Sequence, residues 1–215
     1  MKYPKIQTLY DRDEKFKVDP TRIRCPEFSL ITCWLITEKI DGTNVRIVRT
    51  TDGERVILGR TDKADWALRE SPLKKKLDSM FPVELLNQVI DPGVEATLYG
   101  EGYGAGIQKG GRYRKDPSFR LFDVKIGEWW LNWEDVKDIA DKLRIRTVPS
   151  YGVWYDKLLW TEEDLERFTG PSLVSLQEGG DMLVFPEGIV ARTDPLLFNR
   201  WGERVMFKLK FVDFA

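Results

Sequence analysis

The stretch Leu30-Ile31-Thr32-Cys33-Trp34-Leu35-Ile36 leads into Thr37-Glu38-Lys39-Ile40-Asp41-Gly42-Thr43-Asn44. Its apolar run, residues 30–36, reads as a buried strand. Lys39 then leaves the strand end, and Gly42 lets the backbone turn sharply beside it. Burial and neighbouring cations can lower a lysine pKa from about 10.4, which turns the amine into a nucleophile. The competing reading is a surface turn, because a bare K-x-x-G arises by chance about once in a chain of this length.

Working outward, Asn44 to Thr50 and Glu54 to Leu58 are expected to pair around Thr51-Asp52-Gly53, since Asp-Gly supplies the positive φ of a tight turn. Leu73 to Ile90 reads as helical with a break at Pro82. Ala96 to Glu101 reads as a strand that enters a glycine-rich loop. Phe119 to Val124 and Glu128 to Leu131 suggest a second hairpin. Asn132 to Leu143 has an N-cap and apolar residues at Val136, Ile139, Ala140 and Leu143, so it is expected to be a helix. Thr161 to Phe168 reads as a further short helix, and Gly188 to Arg192 and Arg204 to Val212 as closing strands. Strands interleaved irregularly with few helices predict an α+β fold.

The 215 residues contain no histidine, and 34 Lys+Arg against 35 Asp+Glu leave a net charge of -1. Ser-His-Asp and Cys-His catalysis are therefore excluded, as is any zinc site that uses histidine. Nucleic-acid binding would need a local basic patch. No run approaches a membrane span, and the N-terminus lacks the apolar region of a signal peptide. Cys25 and Cys33 read as free thiols in a reducing, cytoplasmic setting.

Other stretches carry chemistry only conditionally. Glu101 stands at a strand end before Gly102-Tyr103-Gly104-Ala105-Gly106-Ile107-Gln108-Lys109, which fits neither a P-loop nor a dinucleotide fingerprint. It is either a ligand-approaching loop or a plain surface loop. In Met206 to Val212, strand alternation puts Phe207, Leu209 and Phe211 on one face and Lys208 and Lys210 on the other. Two lysines on one face would welcome a polyphosphate, or they defend an edge strand. Glu187, opening an apolar strand, could hold a metal ion or simply face water. Phe122 lies opposite Leu121 and Asp123 and could stack on a base or join a second core layer. Lys109, Arg112, Arg114, Lys115 and Arg120, interleaved with Tyr113 and Phe119, suit a nucleic-acid backbone with stacking. Lys74-Lys75-Lys76 reads as a solvated helix face.

Taken in order, Lys39-x-Asp-Gly, Arg60, Gly100-Glu101, Leu121-Phe122-Asp123-Val124, Glu187-Gly188 and Lys208-x-Lys210 resemble the motifs of the covalent nucleotidyltransferases. Within that superfamily, Glu38-Lys39-x-x-Gly42-Thr43-Asn44 and Gly106-Ile107-Gln108-Lys109 are most similar to the RNA ligase 2 class. The resemblance spans residues 34 to 212. It implies two packed antiparallel sheets with flanking helices, an ATP-grasp-like ligase adenylation architecture. It further implies one nucleotidyltransferase (adenylation) domain over 1–215 without the C-terminal accessory domain, a role that a protein partner could fill.

The resemblance also implies roles. Lys39 would attack the α-phosphate of ATP and carry AMP. Glu38 would lie by the adenine, with Phe122 stacked on it, and Asp41, Gly42 and Asn44 would help to bind the nucleotide. Glu101 would contact the ribose or organise metal. Glu187 would help to hold Mg²⁺, with Mn²⁺ as the alternative ion. Lys208 and Lys210 would contact phosphates, and Arg60 a phosphate of the nucleotide or of the RNA end. Lys109, Arg112, Arg114 and Lys115 would face nucleic acid. The implied reaction joins RNA 5′-phosphate and 3′-hydroxyl ends through lysyl-AMP and an adenylated end, as in RNA repair. Alternatives are a minimal DNA ligase and a non-catalytic RNA- or nucleotide-binding relative. Asp41 stands where some RNA ligase 2 relatives carry histidine, and Asn44 favours RNA.

Overall fold

The computed structural model describes residues 1–15, 17–155, 167–180 and 182–214. In chain order the strands are β1 (Gln7–Thr8), β2 (Tyr10–Arg12), β3 (Val18–Ile23), β4 (Trp34–Lys39), β5 (Thr43–Arg49) and β6 (Arg55–Gly59). There follow β7 (Ala96–Tyr103), β8 (Ser118–Ile126), β9 (Trp129–Trp130), β10 (Arg146–Thr147), β11 (Ser150–Trp154), β12 (Gly188–Thr193) and β13 (Met206–Lys210). The helices are α1 (Asp62–Leu68), α2 (Pro72–Met80), α3 (Val83–Val89), α4 (Trp133–Lys142) and α5 (Leu173–Gln177). The expected α+β class is the observed one. The helix predicted at Thr161 to Phe168 lies largely outside the described residues.

Two compact units divide the chain. The first comprises Met1–Tyr3 and Asp41–Val148. Its sheet runs β10-β8-β7-β5-β6, with β9 paired to β8. β5, β6, β7, β8 and β9 pair antiparallel, and β10 joins β8 in parallel. The Asp-Gly hairpin forms as expected, with Gly53 at φ 83°. Helices α2 and α3 break at Pro82, which lacks an amide proton to continue the first helix. Asn132 caps α4 by accepting the Asp135 amide at 2.9 Å. Apolar side chains of β5, β7 and β8 (Val45, Ile47, Leu98, Leu121) and of the helices (Leu77, Val136) are excluded from water. That burial supplies most of the unit's stabilisation.

The second unit comprises Pro4–Ile40 and Pro149–Ala215. Its five-stranded sheet runs β1-β13-β12-β4-β11, antiparallel except where β1 meets β13, and β2 and β3 form a separate ribbon. Trp34, Ile36, Ile189, Ala191, Phe207 and Leu209 build one core with Phe28. Trp34 and Phe207 meet at 4.8 Å between ring centroids.

Strand β4 differs from its expected bounds. It starts at Trp34 and not Leu30, because Pro26–Leu30 forms a 3₁₀ turn that leaves Leu30 80% exposed. Proline fixes φ and donates no ladder hydrogen bond, so the chain turns here before it can enter a central strand. From Trp34 to Glu38 every residue is buried, as expected for a strand with neighbours on both edges.

Candidate functional site

Within the second unit, Lys39 ends β4 and Lys210 ends β13, with Gly188 of β12 between them in register with both. The backbone of Glu187 is clamped at the same level. Its N–H donates to Lys39 O at 3.1 Å, and its carbonyl accepts from Phe211 N–H at 3.1 Å. Its side chain bridges the two lysines. Oε2 accepts from Lys39 Nζ, and Oε1 lies 2.5 Å from Lys210 Nζ. Burial pushes the Glu187 carboxyl up, but the Lys39 charge and the hydrogen bonds from Lys210 and Lys39 outweigh it, so the group sits below its ordinary range. One carboxylate cannot neutralise two ammonium groups, so the trio retains a positive charge.

Gly188 is required by this packing. A Cβ there would stand 1.9 Å from Leu209 O. Lys208 is half-exposed, two residues from Lys210 on the same face, while Phe207 and Leu209 point into the core as the alternation predicted.

Glu38 precedes Lys39 and therefore takes the opposite face. It is only 2% exposed. Ser172 Oγ donates to its Oε1 at 2.5 Å, and the Val174 amide donates to its Oε2 at 3.2 Å. Ser172 also caps α5 by accepting the Ser175 amide at 3.1 Å. Sequence reasoning missed this pair of anchors. Its one local signal was a serine before an apolar run, an N-cap pattern.

Within the first unit, Gly42 presses against β7. A Cβ would meet Gly102 O at 2.3 Å and Glu101 Cγ at 2.9 Å. Glu101 is half-buried and stands opposite Asn44 of β5. Asp41 donates its amide to Tyr113 Oη at 3.3 Å, and its carboxylate lies 3.6 Å from the Arg112 guanidinium. Arg112 also donates to Tyr113 Oη at 3.1 Å. Arg60 is exposed just beyond β6, and Phe122 is half-buried on β8. A cavity of about 310 Å³ is bordered by Asn44, Gly59, Leu73, Gly106 and Gln108.

The basic stretch separates into two classes. Lys109, Arg112 and Lys115 are exposed and Arg114 is half-buried. Arg120 is buried, donating to Tyr103 Oη and Thr147 O, so it does not belong to a surface patch. Tyr113 and Phe119 are each 1% exposed and serve the core, not base stacking. Residue order cannot show which members of a mixed stretch the sheet turns inward.

Among the described residues no three His, Cys, Asp or Glu side chains gather into a metal site, and no helix is long and apolar enough to cross a membrane. Glu187 in the second unit and Glu101 in the first are each a hard oxygen donor, and either carboxylate taken singly is a suitable ligand for Mg²⁺, which typically takes one or two carboxylates and completes its shell with phosphates and water. Cys25 and Cys33 are free thiols.

Solved structures share this fold. An apo point mutant of Naegleria gruberi RNA ligase superposes with a TM-score of 0.59 at 19% identity, covering 97% of this chain and 58% of that one. A mutant of that ligase with ATP and Mn gives 0.58 at 18% identity, covering 97% and 61%. The ligase with PPi gives 0.57 at 19% identity, again covering 97% and 61%. The chain thus spans about three-fifths of the length of these relatives. No curated protein matches it in sequence. The RNA ligase family profile matches residues 32–210, and the chain belongs to the RNA ligase family.

Proposed function

We propose that the chain is an ATP-dependent RNA ligase acting through a covalent lysyl-AMP. The observation that carries this reading is the Lys39–Glu187–Lys210 trio, which holds a nucleophile-bearing strand end beside a second cation and a hard oxygen ligand. Lys39 Nζ gives up its ammonium proton to solvent and attacks the α-phosphorus of ATP as the free amine. The N–P bond forms, the bond to the bridging oxygen breaks, pyrophosphate leaves, and the nitrogen sheds its second proton to solvent. AMP then passes from Lys39 to an RNA 5′-phosphate, and a 3′-hydroxyl displaces it to form the phosphodiester.

Lys208 and Lys210 supply positive charge for the phosphates. Glu187 and Glu101 are the side chains that would hold Mg²⁺ or Mn²⁺, which offsets phosphate charge when bound. Glu38 and Phe122 are read as adenine contacts, and Asp41, Gly42 and Asn44 as the turn that shapes the nucleotide site. Arg60 with Lys109, Arg112, Arg114 and Lys115 is read as facing RNA. Relatives solved with ATP and Mn or AMP and Mn support the choice of nucleotide and metal. Free thiols at Cys25 and Cys33 support a reducing, cytoplasmic location.

The test is incubation with α-labelled ATP and Mg²⁺, followed by a denaturing gel. A labelled band that disappears in Lys39→Ala is expected, and label that survives the substitution overturns the mechanism. Sealing of matched RNA and DNA nicks then decides the polymer, and faster joining of the all-DNA nick would overturn the RNA assignment.

A further inference from the structure

We propose that Tyr3 is a positioning residue that sets the orientation of the Phe122 ring. The proposal rests on the reading of Phe122 as the adenine stack. Phe122 sits between Leu121 and Asp123 on β8, both fully buried on the opposite face. Its own ring is half-buried. Phenylalanine χ2 is a broad torsion, so the tilt of such a ring depends on what flanks it. Tyr3 flanks it with a T-shaped contact, 5.0 Å between centroids and 75° between planes.

Tyr3 is itself held from three directions. Its hydroxyl donates to Asp123 Oδ2 at 2.8 Å, on the residue next to Phe122. Its ring lies 5.0 Å from Tyr99 and 5.8 Å from Trp130, the latter at 88°. The backbone before it is pinned as well, since Met1 O accepts from Arg46 NH1 and from Tyr99 Oη, each at 3.2 Å. Met1–Tyr3 accordingly belongs to the first unit although Pro4 does not. Three residues are thus tied to β5, β7 and β8, and the side chain so fixed ends edge-on to the proposed stacking ring. A residue that only filled the aromatic cluster would need neither the part-buried hydrogen bond to Asp123 nor the anchored carbonyl before it.

The experiment measures lysyl-AMP formation against ATP concentration, with the thermal midpoint recorded in parallel, for wild type, Tyr3→Leu, Tyr3→Phe, Phe122→Leu and the Y3L/F122L double variant. Tyr3→Leu is expected to raise the half-saturating ATP concentration about 3- to 10-fold, the scale of one lost edge-to-face pair. The rate at saturation should change less than about twofold, because the ring acts in binding. Tyr3→Phe keeps the ring but loses the hydroxyl that fixes it to Asp123, so its shift should fall between those of wild type and Tyr3→Leu. The double variant should be no worse than Phe122→Leu alone, since both changes act through one ring.

Unchanged ATP dependence in Tyr3→Leu, or full additivity with Phe122→Leu, overturns the proposal. Tyr3→Met, which keeps bulk in the cluster, carries the test if Tyr3→Leu does not fold. A shift in Phe122→Leu with none in Tyr3→Leu removes only the brace. No shift in Phe122→Leu removes the stacking reading and the brace with it.

Discussion

The Lys39 ammonium donates a hydrogen bond to Oε2 of Glu187, so the proposed nucleophile and a proposed metal ligand stand as an ion pair. Lys210 occupies the other oxygen at 2.5 Å. Both lysines depend on one carboxylate, and the first prediction concerns that dependence.

Glu187→Gln leaves two ammonium groups facing a neutral amide. Charge-assisted hydrogen bonds of this kind contribute on the order of 1–3 kcal/mol, so the variant should be less stable than wild type at neutral pH by about that amount. The Glu187 pKa is depressed in the fold, so its contribution is fully present above the ordinary carboxylate value of 4.5 and is lost as pH falls through the lower folded value. Thermal unfolding from about pH 7 to about pH 3 should show the two proteins converging at the acid end. A constant gap across that range would contradict the assignment.

Ser172→Ala removes two interactions at once, the hydroxyl on buried Glu38 and the cap of α5. The expected cost is about 1–2 kcal/mol in urea denaturation, and Ser172→Thr should recover most of it. A loss of a few tenths would mean that the Glu38 carboxylate does not depend on the Ser172 hydroxyl.

Gly188→Ala places a methyl 1.9 Å from Leu209 O, backbone that cannot swing aside. The strands must part where Lys39 and Lys210 are matched across Gly188. Overpacking costs about 1–3 kcal/mol and often more at backbone, so a clear drop in melting temperature is expected. Lysyl-AMP formation should fall further than the lost stability explains. Normal labelling by this variant would show that the register is not what sets the lysine spacing.

Lys109→Ala and Lys115→Ala remove exposed charges. Each should weaken RNA binding and lower the salt dependence of affinity by about one unit of slope, with melting unchanged. Arg112→Ala should do this and also destabilise the fold, because Arg112 holds Asp41 and Tyr113. Binding titrations at several salt concentrations, alongside thermal melts, separate the two behaviours.

Local chemistry was legible wherever it depends on neighbours in the chain. The Asp-Gly turn, the break at Pro82, the Asn132 cap and the alternation of Phe207, Lys208, Leu209 and Lys210 all follow from geometry that a few residues enforce themselves. Burial was not legible in the same way. Tyr113, Phe119 and Arg120 look like members of an exposed basic and aromatic strip, yet the fold turns all three inward. Strand β4 begins four residues later than its apolar run, because Pro26 imposes a turn that hydrophobicity alone does not register.

What the sequence determined by itself is the set of reactive groups and their order. With no histidine, imidazole chemistry is excluded, and lysines and carboxylates are the charged groups that recur along the chain. Only the tertiary structure decided which of these groups meet. Lys39, Glu187 and Lys210 are separated by 148 and 23 positions, and strand pairing alone brings them to one sheet end. The same pairing gives Glu38 a buried partner in Ser172, 134 positions away, and Tyr3 a buried acceptor in Asp123, 120 positions away. Contacts at such separations are set by the register and burial of whole strands, which no short window of residues contains.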